Sequence, residues 1–286
     1  MLLLLQMIKM VKIGQYNTLK IIKILSFGAY VDGGELGEIL LPIKYLQSDA
    51  EIDDSIEVFI YKDSEDRLIA TTEKPYAQVG EFAYLEVQEV NKFGAFLDWG
   101  LVKNLLVPFR EQKETMQEGK SYIVYLYVDE KTDRIAATAK VDKYLDLTPA
   151  EYEINQQVEL LIKNKTELGY NAIVNNLHSG LLYENEVFQK IYIGQSLKGY
   201  IKKVREDGKI DLSLAPAGFE NIEVINNIII NQLQVNNGFI PLTDKSSPDE
   251  IYKLLGISKK NFKKSIGNLY KKKKLLIENN GIRLIE

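Results

Sequence analysis

Few residues in this chain could do covalent chemistry. There is no cysteine and one histidine, His178, in the stretch NNLHSG. That composition excludes disulfides, thiolate nucleophiles and the usual zinc clusters, and fits a reducing compartment. His178 has no identifiable nucleophile to serve, so its expected place is a surface turn. The glycine-rich DGGELGE lacks the Gly-Lys-Ser/Thr ending that cradles phosphates. Glu35 and Glu38 would repel a phosphate, and a tight turn between strands is the better reading. The carboxylates show neither metal-ligand nor acid/base spacing. The sequence therefore predicts no catalytic residue, no metal and no cofactor. What remains is stacking and charge. KFGAFLDWG places Phe93 and Phe96 around Gly94, and SFGAYVDGG places Phe27 and Tyr30 around Gly28. Aromatic rings left outside a core are a platform for bases, and cations beside them suit phosphates.

These stretches belong to a repeat. The shift that carries Phe27 onto Phe93 also carries Gly14 onto Gly80, Leu19 onto Leu85, Gly28 onto Gly94, Tyr30 onto Phe96 and Pro42 onto Pro108. DRLIATT (66–72) falls on DRIAATA (133–139) with one residue more. A fainter third copy places Gly169 on Gly94, the GLL before Tyr183 on NLLVP, and GKIDLSL (208–214) on DRIAATA. Each unit holds strand-like runs such as TLKIIKIL, IEVFIY, YIVYLYV and SLKGYIKKV, rich in β-branched and aromatic residues and separated by Gly, Asp and Asn turns. Five such runs predict a five-stranded barrel closed to hide its edges, an OB-fold. LVPFREQKETMQEGKS is a longer excursion between the third and fourth strands. Phe93 and Phe96, three apart, share the outer face if a bulge at Gly94 shifts the alternation by one residue. The units run over 11–74, 75–144 and 153–216, with DLTPAE around Pro149 as a linker.

The C-terminal part, 219–286, changes character. IEVINNIIINQL predicts a helix. Ser247-Pro248 with Asp249 and Glu250 predicts a second, ended by Gly256. Ser258 caps a third, with Phe262, Ile266, Leu269 and Tyr270 as its buried stripe. LLIENNGIRLI predicts a hairpin turning near Asn279–Gly281. Three helices and a two-stranded wing make a winged helix. Residues 258–274 carry eight lysines and no acid, and 258–286 carry +7 (eight Lys and Arg283 against Glu278 and Glu286). The whole chain carries −4, so the remainder carries −11 (−4 less +7). Lys260, Lys264 and Lys271 lie opposite the stripe, and Lys263 flanks it.

The 286-residue length suits two to four domains, and 45% apolar residues suit packed structure rather than disorder. Residues 1–10, MLLLLQMIKM, are too short for a membrane span or a signal peptide and are expected to be a disordered or extraneous tail. The expected location is the cytoplasm.

The glycine before strand one, the FGAF segment, the G-L-L/V stretch and a closing strand like R-I-x-L-S resemble the S1 RNA-binding domain. Units one and two match well. Unit three replaces the aromatic pair with Leu168 and Asn171. With the C-terminal DKSSP…SKKNFKKSIGNLYK, nearly all of 11–286 resembles the conserved virulence factor B family of bacterial RNA-binding proteins. The resemblance implies a mainly β chain: three tandem S1-like OB barrels followed by a small α+β winged helix. It maps the ligand face to Phe27, Tyr30 and Arg67 in unit one and to Phe93, Phe96 and Arg134 in unit two. In unit three, Tyr170, Tyr183, Arg205 and Lys209 are expected to form a substitute face. Where many S1 domains carry a histidine after G-L-V/L, this chain has Pro42, Pro108 and Tyr183, so one stacking or hydrogen-bonding group is lost. The expectation is a non-enzymatic, monomeric, single-stranded RNA-binding protein with a post-transcriptional regulatory role. Two other readings stand beside it: a protein-interaction scaffold, and a DNA-binding regulator acting through the winged helix.

Overall fold

A computed structural model of the chain describes residues 10–187, 189–216 and 222–285. The expectations for residues 1–9 and for 219–221 lie outside these. Met10 is exposed.

Three barrels repeat one topology. The first is built from β1 (Tyr16–Leu25), β2 (Gly28–Asp32), β3 (Glu38–Pro42), β4 (Ser55–Lys62) and β5 (Leu68–Thr71). It closes in the order β1-β2-β3-β5-β4, with β3 and β5 parallel. The second uses β6 (Phe82–Asn91), β7 (Gly94–Leu97), β8 (Leu105–Pro108), β9 (Ser121–Asp129) and β10 (Arg134–Thr138). The third uses β11 (Gln157–Thr166), β12 (Gly169–Val174), β13 (His178–Tyr183), β14 (Ser196–Val204) and β15 (Ile210–Ser213). Both close in the same order. The inward residues are the apolar half of each alternation: Leu19, Ile21, Ala29 and Val31 in the first, Leu85, Val87, Ala95 and Leu97 in the second, and Leu160, Ile162 and Ala172 in the third.

The bulge is not at Gly94. The register slips in the preceding strand, between Ile21 and Lys23, Val87 and Glu89, and Ile162 and Asn164. Gly28, Gly94 and Gly169 open the second strand of each barrel opposite Pro42, Pro108 and Tyr183. There a Cβ would stand 2.3, 2.3 and 2.0 Å from a carbonyl oxygen of the facing strand. With φ of +155°, +150° and +146°, these glycines answer to close backbone approach and a left-handed conformation together.

Barrels one and two share a core. Phe59, fully buried on β4, meets Trp99 edge-on at 5.7 Å and Tyr16 at 5.6 Å, within the cluster that holds the second barrel's Leu85, Leu97 and Leu126. Backbone and polar bonds lock the junction: Val79 N donates to Gly14 O at 2.8 Å, and Lys103 Nζ to Asp63 O at 2.7 Å. The described residues up to Tyr144 form one compact unit and those from Leu145 onward another.

In the second unit, the expected linker is strapped onto barrel three. Asp146 N donates to Leu177 O at 2.9 Å and its carboxylate accepts from Ser179 N at 2.8 Å. His178 is not a surface turn residue. It opens β13 with 4% of its surface exposed. Its Nε2 donates to Thr148 O at 2.8 Å, which leaves Nδ1 to accept from the Tyr152 hydroxyl at 2.8 Å. The histidine is a buried clasp.

The C-terminal part folds as α1 (Ile222–Val235), β16 (Phe239–Ile240), α2 (Pro248–Leu255), α3 (Lys259–Lys271), β17 (Leu275–Glu278) and β18 (Gly281–Leu284). Ser247 and Glu250 make a reciprocal capping box, and Gly256 ends α2 in the left-handed conformation. The wing gains a third strand, in the order β16-β18-β17. Phe262, Ile266 and Leu269 are buried, but Tyr270 is 54% exposed. Asn261 and Ser265 complete the inner face instead, and Ser265 Oγ donates to Asn226 of α1. Tyr270 lies one position past the buried arc, where a helix turns back to solvent.

Candidate nucleic-acid interface

The outer face of each barrel is laid down by the register. In barrel one, Tyr30 of β2 stands opposite Leu40 of β3, which stands opposite Ile69 of β5. The equivalent rows are Phe96–Leu106–Ala136 and Asn171–Leu181–Asp211. Phe27, Phe93 and Leu168 sit in the turn before the second strand, exposed by 51%, 62% and 63%. None of these side chains closes a barrel; Ala29, Ala95 and Leu97 do that. Phe27 and Tyr30 meet edge-on at 6.4 Å.

The cations expected on these faces are engaged by carboxylates. Arg67 is held by Asp63 at 2.8 Å and Glu65 at 2.9 Å. Arg134 makes a two-pronged pair with Asp66 across the barrel junction, at 2.6 and 2.5 Å. Arg205 grips Asp211 at 2.8 Å and donates to the Tyr183 hydroxyl. Lys209 pairs with Asp207 at 2.7 Å. The Arg134 guanidinium holds the Asp66 carboxyl below the usual carboxylate range.

Barrel three does not bring its two tyrosines together on one face. Tyr170 occupies the register of Ala29 and Ala95 and packs against the core, with Lys165 Nζ 5.4 Å from its ring. Tyr183 takes the outward position of Pro42 and Pro108, with Lys202 Nζ 5.9 Å from its ring.

Lys23 and Tyr270 lie on candidate surfaces where the sequence pattern did not place them, and Phe109 offers apolar contact beside Pro108. Lys23 stands directly across from Tyr30, its ammonium 5.4 Å from the ring centroid. Its signal was the slip in the first strand, which is invisible without the pairing. Phe109, after Pro108, is 49% exposed. Tyr270 lies beside the lysine run.

On α3, Lys260, Lys263, Lys264 and Lys271 are exposed. Lys263 lies 3.8 Å from Asp244. Exposed Lys272, Lys273 and Lys274 continue the basic track past the helix end toward the wing. Cations there also complement the negative end of the helix dipole.

Among the described residues, no group of three or more His, Asp or Glu could hold a metal ion, and no helix is long and apolar enough to cross a membrane.

The S1 domain family model matches residues 13–73 and 79–140, and the CvfB-like winged helix domain model matches 227–284. Protein YitL of Bacillus subtilis is 30% identical over 273 residues, covering 93% of this chain and 91% of its own length. Conserved virulence factor B of Staphylococcus aureus is 26% identical over 255 residues, covering 85% of each. The chain belongs to the conserved virulence factor B family. Another similar protein is a solved multidomain protein with nucleic acid binding domains from Streptococcus pneumoniae, 29% identical and covering 96% of this chain and 98% of that one, with a TM-score of 0.41. Membership in the family, with its S1 domains and winged helix, points to nucleic-acid binding. Domains of these two types are typically non-enzymatic. The third barrel lies outside the S1 match but closes in the same strand order.

Proposed function

We propose that this protein binds single-stranded RNA, without catalysis, and acts as a post-transcriptional regulator. Bases stack on the outer face of barrel one, and phosphates run along the lysines of α3. The observation that carries the reading is the arrangement of Phe27, Tyr30 and Lys23: two outward rings 6.4 Å apart, with an ammonium 5.4 Å from the second. Stacking on such rings is tolerant of base identity and contributes about 1–3 kcal/mol per base. The S1 match and the family membership support nucleic acid as the ligand class. Single strands are favoured over duplex because an aromatic face reads unstacked bases. Filter binding of the full chain to single-stranded RNA, single-stranded DNA and duplex DNA tests the reading. RNA should be retained best. Preferential retention of the duplex would favour the winged helix as a DNA reader.

A further inference from the structure

The three barrels differ at two register-equivalent positions beside the second-strand hairpin. The first is the residue across from the central outward side chain: Lys23 opposite Tyr30, Glu89 opposite Phe96, Asn164 opposite Asn171. The second lies just before the residue whose amide caps the first strand. Asp53 N, Gly119 N and Gly194 N donate to the carbonyls of Ile21, Val87 and Ile162 at 2.8, 2.9 and 2.8 Å. The residues preceding them are Ile52, Glu118 and Ile193. Barrel two alone has carboxylates at both positions. Each is anchored: Glu89 accepts from Asn91 Nδ2 at 2.9 Å, and Glu118 accepts from Val90 N at 2.9 Å.

These carboxylates flank the most aromatic of the three faces. Phe93 and Phe109 are exposed, and Phe96 stands opposite Leu106 on the outward row. The nearby arginines are neutralised: Arg110 by Asp129 at 3.5 Å and Glu111 at 3.8 Å, Arg134 by Asp66. Lys92 stands at the hairpin tip with its ammonium 5.1 Å from the Phe93 ring, and exposed Lys120 follows Glu118 in sequence, so Glu89 is the carboxylate directly across from Phe96. Phosphate is repelled by such a rim. A guanidinium or ammonium is attracted by both the ring faces and the carboxylates.

We infer that the outer face of barrel two docks an extended protein segment carrying arginine or lysine between apolar residues. The basic side chain seats over Phe93 or Phe96 and pairs with Glu89 and Glu118; its apolar neighbours cover Phe109. One compact unit would then hold the base-stacking face proposed on barrel one and a peptide face on barrel two, bringing a basic partner to bound RNA.

Fluorescence anisotropy of the full chain at about 150 mM salt, where exposed charges beyond roughly 8 Å are screened, tests this with labelled (Arg-Leu)4, (Glu-Leu)4 and a dodecameric oligouridylate as probes. The (Arg-Leu)4 peptide should bind and (Glu-Leu)4 should not. Glu89→Lys should weaken (Arg-Leu)4 by about tenfold or more, as expected for reversing a charge where the peptide seats. Phe93→Ala should weaken it by about fivefold, while Glu35→Lys, an exposed acid of barrel one, should leave it unchanged. Oligouridylate should be indifferent to Phe93→Ala, and its binding by the wild type reports separately on the RNA reading. Absence of (Arg-Leu)4 binding overturns the inference. So does an equal loss in Glu35→Lys, which would mean a diffuse acidic field, and so does a loss of oligouridylate but not peptide in Phe93→Ala.

Discussion

Lys23, Glu89 and Asn164 occupy one structural position, and on the proposed reading that side chain decides what each barrel face holds. The ammonium of Lys23 lies 5.4 Å from the Tyr30 ring, so a phosphate following a base stacked there meets a cation. Lys23→Glu copies barrel two onto barrel one. It is expected to weaken single-stranded RNA binding by about 1–2 kcal/mol in anisotropy titrations, with the melting temperature unchanged because the side chain is exposed. Gly94 is a residue-scale case of the opposite kind. A Cβ there would stand 2.3 Å from Val107 O at φ +150°, so Gly94→Val is expected to cost about 3 kcal/mol or more in urea unfolding. That glycine was legible in the sequence because it recurs at a fixed offset from the aromatic pair. The reason for it was not. FGAF suggested a bulge, whereas the slip lies in the facing strand, and only the ladder shows which strand carries the extra residue. Tyr170 misled for the same reason: one residue of register decides whether a ring faces solvent or core.

At the scale of elements, the caps and turns were the most readable part. Ser247, Pro248, Glu250 and Gly256 act locally, and local chemistry survives into the fold. The buried stripe of α3 was legible up to its edge, where Tyr270 turns out and the Ser265–Asn226 bond to α1 takes over. A polar seam has no periodic signature, so a serine and an asparagine on a helix read as surface. The lysine face of α3 is expected to bear on phosphates. Replacing Lys260, Lys264 and Lys271 together by Ala should flatten the plot of log K against log salt by about 0.7 for each phosphate that is no longer neutralised. Phe262, Ile266 and Leu269 remain buried in that variant, so its unfolding profile should match the parent. An unchanged slope would remove α3 from the interface.

Across the whole molecule, the sequence repeat revealed three barrels but not that two of them share a core. Phe59 reads as one more strand aromatic, and nothing in its spacing announces Trp99 as its neighbour, because packing between repeats carries no period. Phe59→Ala is expected to cost about 3–5 kcal/mol and to lower the unfolding of both barrels together in calorimetry. A second-barrel transition left in place would show that the shared core is not cooperative. The same junction gives a pH dependence. Asp66, held below the usual carboxylate range by Arg134, contributes stability that is fully present above about pH 4 and is lost as pH falls through its depressed value. Asp66→Asn should therefore be less stable than the parent at neutral pH, and the two stability curves should converge on acidification.

The central claim is that outward rings of barrel one hold single-stranded RNA. Its most direct test is the affinity of the full chain for a labelled single-stranded oligouridylate, before and after Phe27→Ala with Tyr30→Ala, beside thermal melts of both proteins. The account predicts a loss of at least about tenfold in affinity, since each stacked base contributes about 1–3 kcal/mol. It also predicts a small change in melting, because Phe27 is 51% exposed and the core residues Ala29 and Val31 are untouched. Undiminished binding by a double variant that melts like the parent would contradict it.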